Sequence, residues 1–307
     1  MTSATDTGFR CSVASEARDE PIAGTASTVR AFVLVECSGP WGVTAVQDCR
    51  LPAPVKQRLG ELEARHKVRP LLIRRPGRTG RDGRAGKANG MHVFTAYVDR
   101  RAPWVERTML EDPHDLLDLD LSDLRAGRRA GLEPHREPLF LVCTHGRHDA
   151  CCAERGRPFA AALAGEAPEQ TWEVSHIGGD RFAGNALVLP HGLYYGRLGA
   201  QDATGFAARH LAGELDLEHL RGRSSYPFAV QAAEVHLRRR LDRHEVDPLV
   251  LTHVTREGDR VAATFRVDGT EWRVTMRSGR QEPQQLTCRA TRGGAAPTHD
   301  LVGIQQV

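Results

Sequence analysis

Two short apolar runs, each ending at a cysteine, constrain this chain more than any other feature: AFVLVEC at residues 31–37 and PLFLVC at 138–143. Runs this short, bounded by turn signals such as Ser38-Gly39-Pro40, read as strands buried on both faces. Strands of that kind sit in sheets covered by helices, so the pattern predicts an α/β fold. The likeness of the two runs predicts either two related units or two strands of one sheet that deliver their loops to the same end.

The intervening sequence carries the matching punctuation. Val55, Leu59 and Leu62 place a helical stripe in 51–66, followed by strands at 68–73 and 91–99 across a Gly/Arg-rich loop at 74–89. Residues 118–131 read as helix and loop. After the second run, a helix is predicted from Pro158, with proline near its start. A strand at 171–174, a hairpin of 185–189 and 193–195, and a helix at 202–211 follow. Beyond 213 a long helix at 226–244 leads into strands at 249–254, 261–267 and 272–276, with turns at Gly258-Asp259 and Asp268-Gly269. The organisation expected is a flexible lead-in (1–27), two halves (28–132 and 133–212), and a small α+β extension (213–307) with a mobile tail from Thr291.

Charge and composition exclude more than they assign. Forty-two Lys+Arg against 39 Asp+Glu in 307 residues leave +3, too little to imply nucleic-acid or membrane binding. No signal-like core occurs near Met1, and no run approaches the roughly 20 apolar residues of a membrane span. A cytoplasmic protein is expected. Its seven cysteines (11, 37, 49, 143, 151, 152 and 288) are odd in number and lack a disulfide-scaffold spacing.

Three of those cysteines fall in the segment CTHGRHDACC, residues 143–152, between a strand and a helix. A loop there turns several side chains toward one point, and thiolates with imidazoles suit iron or zinc. The segment SHIGGDRFAGN, 175–185, offers His176 directly after a strand, with glycines that allow close backbone approach to a bulky group. Single cysteines are most often inert packing, which is the reading for Cys11, Cys37, Cys49 and Cys288. His145 and His148 read as surface groups first and ligands second.

Together with LYYGRL at 193–198, these two segments resemble the sucrase/ferredoxin-like family. The resemblance covers roughly 137–200, with a looser likeness in the N-terminal half. It implies a thioredoxin-like core, in two related halves, binding a 2Fe-2S cluster through two cysteines and a His-x-x-x-His pair. Cys143 and Cys152 match the cysteine positions and His176 the first histidine. Asp180 stands where the second histidine would. The fourth ligand is therefore open among Asp180, Cys151 (as a Cys3His set), His145, His148 and Cys37. Arg147 and Arg181, with Arg155, Arg157 and Arg197, are candidates for docking an acidic electron partner, and Asn185 and Tyr195 for supporting hydrogen bonds. The expectation is an electron carrier with protein donor and acceptor. A thiol–disulfide oxidoreductase and a structural zinc module are the rivals. No pair of carboxylates stands out for sugar hydrolysis.

Overall fold

The computed structural model describes residues 8–77 and 90–307. Helix α1 (Cys11–Ala17) comes first, and one pattern of elements then occurs twice. In its first copy β1 (Ala31–Glu36) passes through α2 (Ala45–Asp48) and α3 (Ala53–His66) to β2 (Val68–Arg74), β3 (Met91–Tyr97) and β4 (Trp104–Leu110), with β5 (Glu133–His135) at the edge. In the second, β6 (Leu139–Cys143) passes through α4 (Ala150–Glu166) to β7 (Thr171–Val174), β8 (Ala186–Leu189) and β9 (Leu193–Tyr195), followed by α5 (Ala203–Leu211) and β10 (Leu220–Arg223). In both copies the first two strands pair in parallel, the third pairs antiparallel with the first, and the fourth with the third.

The copies join into one ten-stranded sheet of order β10-β9-β8-β6-β7-β2-β1-β3-β4-β5. At the seam β2 and β7 run antiparallel and overlap only at their carboxyl ends, through Ile73↔Val174 and Arg74↔Glu173. The Arg74 and Glu173 side chains form a buried ion pair there at 2.7 Å, and Thr144 donates to the same Glu173 oxygen. Because the halves meet tip to tip, the loops after β1 and β6 converge at the middle of the sheet.

Burial explains the unbroken apolar runs. Phe32, Leu34, Leu139, Leu141 and Cys143 face a core shared by both halves. Val33 and Val35 face α3, and Phe140 and Val142 face α4 and α5. Both sides of β1 and β6 are thus covered, and alternation disappears. The C-terminal part builds α6 (Phe228–Leu241) and an antiparallel sheet of β11 (Val250–Glu257), β12 (Arg260–Val267), β13 (Thr270–Arg280) and β14 (Pro297–Gln306), in that order. Ala229, Ala233 and Leu237 of α6 pack against Phe265, Val274 and Met276. The structure is a mixed α/β fold with one large and one small sheet.

Several local expectations change. The lead-in is ordered from residue 8: Glu20 is buried and receives Arg181 at 2.7 Å, while Arg10 pairs with Glu154. Tertiary partners supply what so short a helix lacks by itself. Residues 1–7, and most of the Gly/Arg-rich loop, lie outside the described residues. The tail from Thr291 forms β14, held along nearly the whole of β13. Helix α4 starts eight residues earlier than Pro158, because Asp149 caps it by accepting the Cys151 N–H. Residues 220–223 complete the large sheet as β10, pairing with β9.

His210 of α5 is buried among Phe140, Tyr195 and Phe206, and burial depresses its pKa to about 4. The unfolded chain therefore binds a proton that the folded one refuses. This contribution to stability is complete above about pH 6.5 and is lost as pH falls through about 4, on the order of 3 kcal/mol in all. Urea titrations at pH 7 and pH 4 are expected to show that much less acid sensitivity in His210→Gln than in the parent. Equal slopes in the two proteins would refute the assignment.

Candidate metal centre

Four side chains meet where the β6–α4 loop faces the loop after β7. Cys143 ends β6, Cys152 lies in the first turn of α4, and His176 and Asp180 lie in the loop that Gly178 and Gly179 bend. The donor atoms of Cys143, Cys152 and His176 lie within 4.8 Å of one another, and so do those of His148, His176 and Asp180. The Cys152 thiol is 3.2 Å from Asp180 Oδ1, and His176 Nδ1 is 3.0 Å from the same oxygen. Both cysteines and Asp180 are buried, whereas the His176 side chain is 23% exposed and that of His148 is 37% exposed. The two rings stack with centroids 3.8 Å apart. A cleft of about 320 Å³ opens onto His145, His148 and His176.

The electrostatics favour anionic ligands. The neighbouring Cys152 thiol, with His176, pulls Cys143 well below the ordinary thiol range against the effect of burial, and Cys152 rises in turn. Burial works against charge on His176, but Asp180 and Cys143 outweigh it and bring the ring to about 9. Burial likewise opposes charge on Asp180, and His176 nevertheless holds it below the usual carboxylate range. A thiol lowered by its neighbours, a lowered carboxyl and a raised imidazole thus share a small volume, a set of donors that could hold a metal ion.

Other predicted residues stand elsewhere. Cys151 is not beside Cys143: successive residues on a helix project about 100° apart, and Cys151 faces Cys288 at 3.4 Å. Cys37 faces Cys49. His145 has both ring nitrogens engaged, Nε2 with the Gly42 carbonyl at 2.9 Å and Nδ1 with the His176 N–H at 3.3 Å, so it holds the loops together instead of offering a ligand. Tyr195 packs against Phe206 and His210, on the other face of the sheet from Cys143; its neighbour Tyr194 shares the core with Cys143 and Cys152. Arg155, Arg181 and Arg197 bind the N-terminal segment through Glu16, Glu20 and the Glu20 carbonyl. Arg181 is therefore an internal tie, not a docking group. Arg147 and Arg157 do line a cleft of about 570 Å³ with Arg50 and Arg74, next to His145.

Gly179 also meets a need that the sequence does not show. Gly179 has φ 86°, and a Cβ there would sit 2.3 Å from the guanidinium of Arg221, so the backbone closes on an arginine. Arg221 is buried on β10 and donates to Gly178 O at 2.9 Å and to Asn185 Oδ1 at 2.8 Å. Asn185 in turn donates to Gly179 O at 2.8 Å. Nothing in the surrounding RGR tripeptide signals this role. His148, in the sequence only one of several candidates for the fourth ligand, is the one that stacks on His176.

A stretch of 79 residues is 32% identical to Altered inheritance of mitochondria protein 32 of Meyerozyma guilliermondii, covering 22% of this chain and 28% of that protein's length. No solved structure matches the chain. The family model for Sucrase/ferredoxin-like proteins matches residues 22–222, which takes in both copies of the strand pattern and nearly all of β10. The chain therefore belongs to the sucrase/ferredoxin-like family.

Proposed function

We propose that this protein is a one-electron carrier that holds a single 2Fe-2S cluster through Cys143, Cys152, His176 and Asp180. The observation that carries the reading is the meeting of two buried thiols with an imidazole and a buried carboxylate, contributed by loops far apart in the chain. Two thiols and an imidazole fit the group, since thiolate and imidazole both bind iron, and Asp180 is the anionic oxygen that stands beside Cys152 and His176. When bound, such a cluster supplies one-electron chemistry, at a potential raised by imidazole replacing thiolate. We read each half as thioredoxin-like, on the strength of its parallel pair flanked by antiparallel strands.

The chain's own residues set the access route. Thiols on the inner side are shielded by the shared core, while the His176 and His148 edges reach the cleft. Arg50, Arg147 and Arg157 give the neighbouring surface a positive face, which suits an acidic protein partner and predicts salt-sensitive association.

His148 supports a second assignment of the fourth ligand, since it stacks on His176 and its Nε2 lies 3.8 Å from Asp180. Anaerobic reconstitution of Asp180→Ala and His148→Ala separates the two. Iron and sulfide analysis, with paramagnetic resonance of the reduced state, is expected to show loss of at least about 80% of the cluster in Asp180→Ala and near-full occupancy in His148→Ala. The reverse pattern assigns His148. A colourless parent protein, with zinc at this site or a redox-active Cys143–Cys152 pair, removes the carrier reading.

A further inference from the structure

We propose that Cys11, Cys151 and Cys288, together with Asp149, form a second and separate metal site that takes one zinc ion and fastens both ends of the chain to α4. None of these four is a ligand in the centre described above, and the two sites lie on different sides of the first turn of α4.

The geometry is that of one small ion. Cys288 Sγ is 3.4 Å from Cys151 Sγ and 3.6 Å from Cys11 Sγ. Cys11 Sγ lies 3.6 and 3.7 Å from the two oxygens of Asp149. One donor atom from each residue falls in a set within 4.8 Å. A tetrahedral zinc with Zn–S bonds of about 2.3 Å places its ligand atoms about 3.8 Å apart, so the observed spacings need to open by only a few tenths of an ångström. Three thiolates select a soft or borderline ion, and a closed set of four protein ligands is characteristic of structural zinc.

The surroundings are prepared for it. Cys11, Cys151 and Asp149 are no more than 1% exposed, and Cys288 alone is half-buried, which leaves an entry path. Asp149 accepts the Cys151 N–H through Oδ1 at 3.0 Å and the Cys288 N–H through Oδ2 at 2.7 Å. These bonds fix the carboxylate without using all its lone pairs, as outer-shell partners of a ligand do. Among the described residues no arginine, lysine or histidine is ion-paired with Asp149, so the buried carboxylate faces three thiols with no cation beside it, which a divalent ion would supply. The α4 amino terminus favours the anionic ligand atoms that such an ion needs. An odd number of thiols also fits a metal better than a disulfide, which would strand one of them.

The consequence is mechanical. Residues 281–296 join β13 to β14, carry Cys288, and lie against α1 and α4. A zinc ion here would tie the small sheet and the amino-terminal helix to the family's core.

Metal analysis of the full-length protein, grown with zinc and purified under reducing conditions, tests the site. About one zinc per chain is expected in the parent and in Cys143→Ser, and below about 0.2 in Cys11→Ser and Cys288→Ser. Cys288→Ser should keep its iron, since Cys288 is not among the donor atoms grouped with Cys143 and Cys152. Stripping zinc with a chelator should speed proteolysis within 281–296 at least about tenfold, and added zinc should reverse this. Zinc absent from the parent, zinc retained in both variants, or a mass showing two of these three cysteines disulfide-linked would each overturn the proposal. Zinc retained in a protein without iron would sink the carrier reading alone.

Discussion

Cys143→Ser is expected to abolish iron binding, with reconstituted iron falling from about two atoms per chain to below about 0.2 and the visible chromophore disappearing. Cys143 is at the end of β6, 1% exposed, and its N–H is fixed to the Asn185 carbonyl at 2.9 Å, so neither the loop nor the helix can move another thiol into its place. Hydroxyl for thiol in a buried, partly polar position costs about 1–2 kcal/mol, which leaves the large sheet intact and makes far-ultraviolet circular dichroism an adequate control. Cys151→Ser sharpens the result. A set of three cysteines and one histidine around the cluster would lose iron in both variants, whereas the observed direction of Cys151, toward Cys11 and Cys288, predicts full iron in Cys151→Ser and loss of zinc instead. Iron retained by folded Cys143→Ser would end the assignment.

Arg221→Met carries the second large effect, because this side chain organises the loop that presents His176 and Asp180. Its guanidinium serves Gly178 O, Asn185 Oδ1, Thr25 Oγ1 and Thr25 O, all inside the fold. Burial lowers its pKa to about 10, still charged at neutral pH. Methionine fills much of the same volume but leaves those acceptors unsatisfied, at a cost of about 3 kcal/mol or more. The urea midpoint should fall by that equivalent with an unchanged slope, and iron retention after dialysis should drop severalfold. Arg221→Lys should rescue little, since an ammonium cannot span partners that a planar fork reaches at once. An unchanged midpoint together with unchanged iron would show that Gly178 and Gly179 hold their course without Arg221.

Gly156 makes a related point about close packing. A Cβ there would lie 2.0 Å from the Cys143 carbonyl oxygen, so α4 approaches the end of β6 more closely than any other residue would permit. The two cysteines of the centre depend on that approach, although Gly156 itself appears in no motif.

Local order was legible in the sequence because local rules have short periods. Apolar runs at 31–36 and 139–143 predicted strands buried on both faces, and the turns at Gly258 and Asp268-Gly269 placed the strands of the small sheet. The order of Cys143, Cys152, His176 and Asp180, read by resemblance, located the loops that meet. What tertiary structure decided is which way each side chain turns and which distant segment it finds. Tyr194 and Tyr195 differ by one position and lie on opposite faces of the sheet, and Cys151 and Cys152 by one position on opposite sides of a helix turn. Cys11 and Cys288 are separated by nearly the whole chain and touch only because α1 and the β13–β14 loop both pack on α4. Such contacts arise from burying area between elements with no common period, and so no window along the sequence contains them.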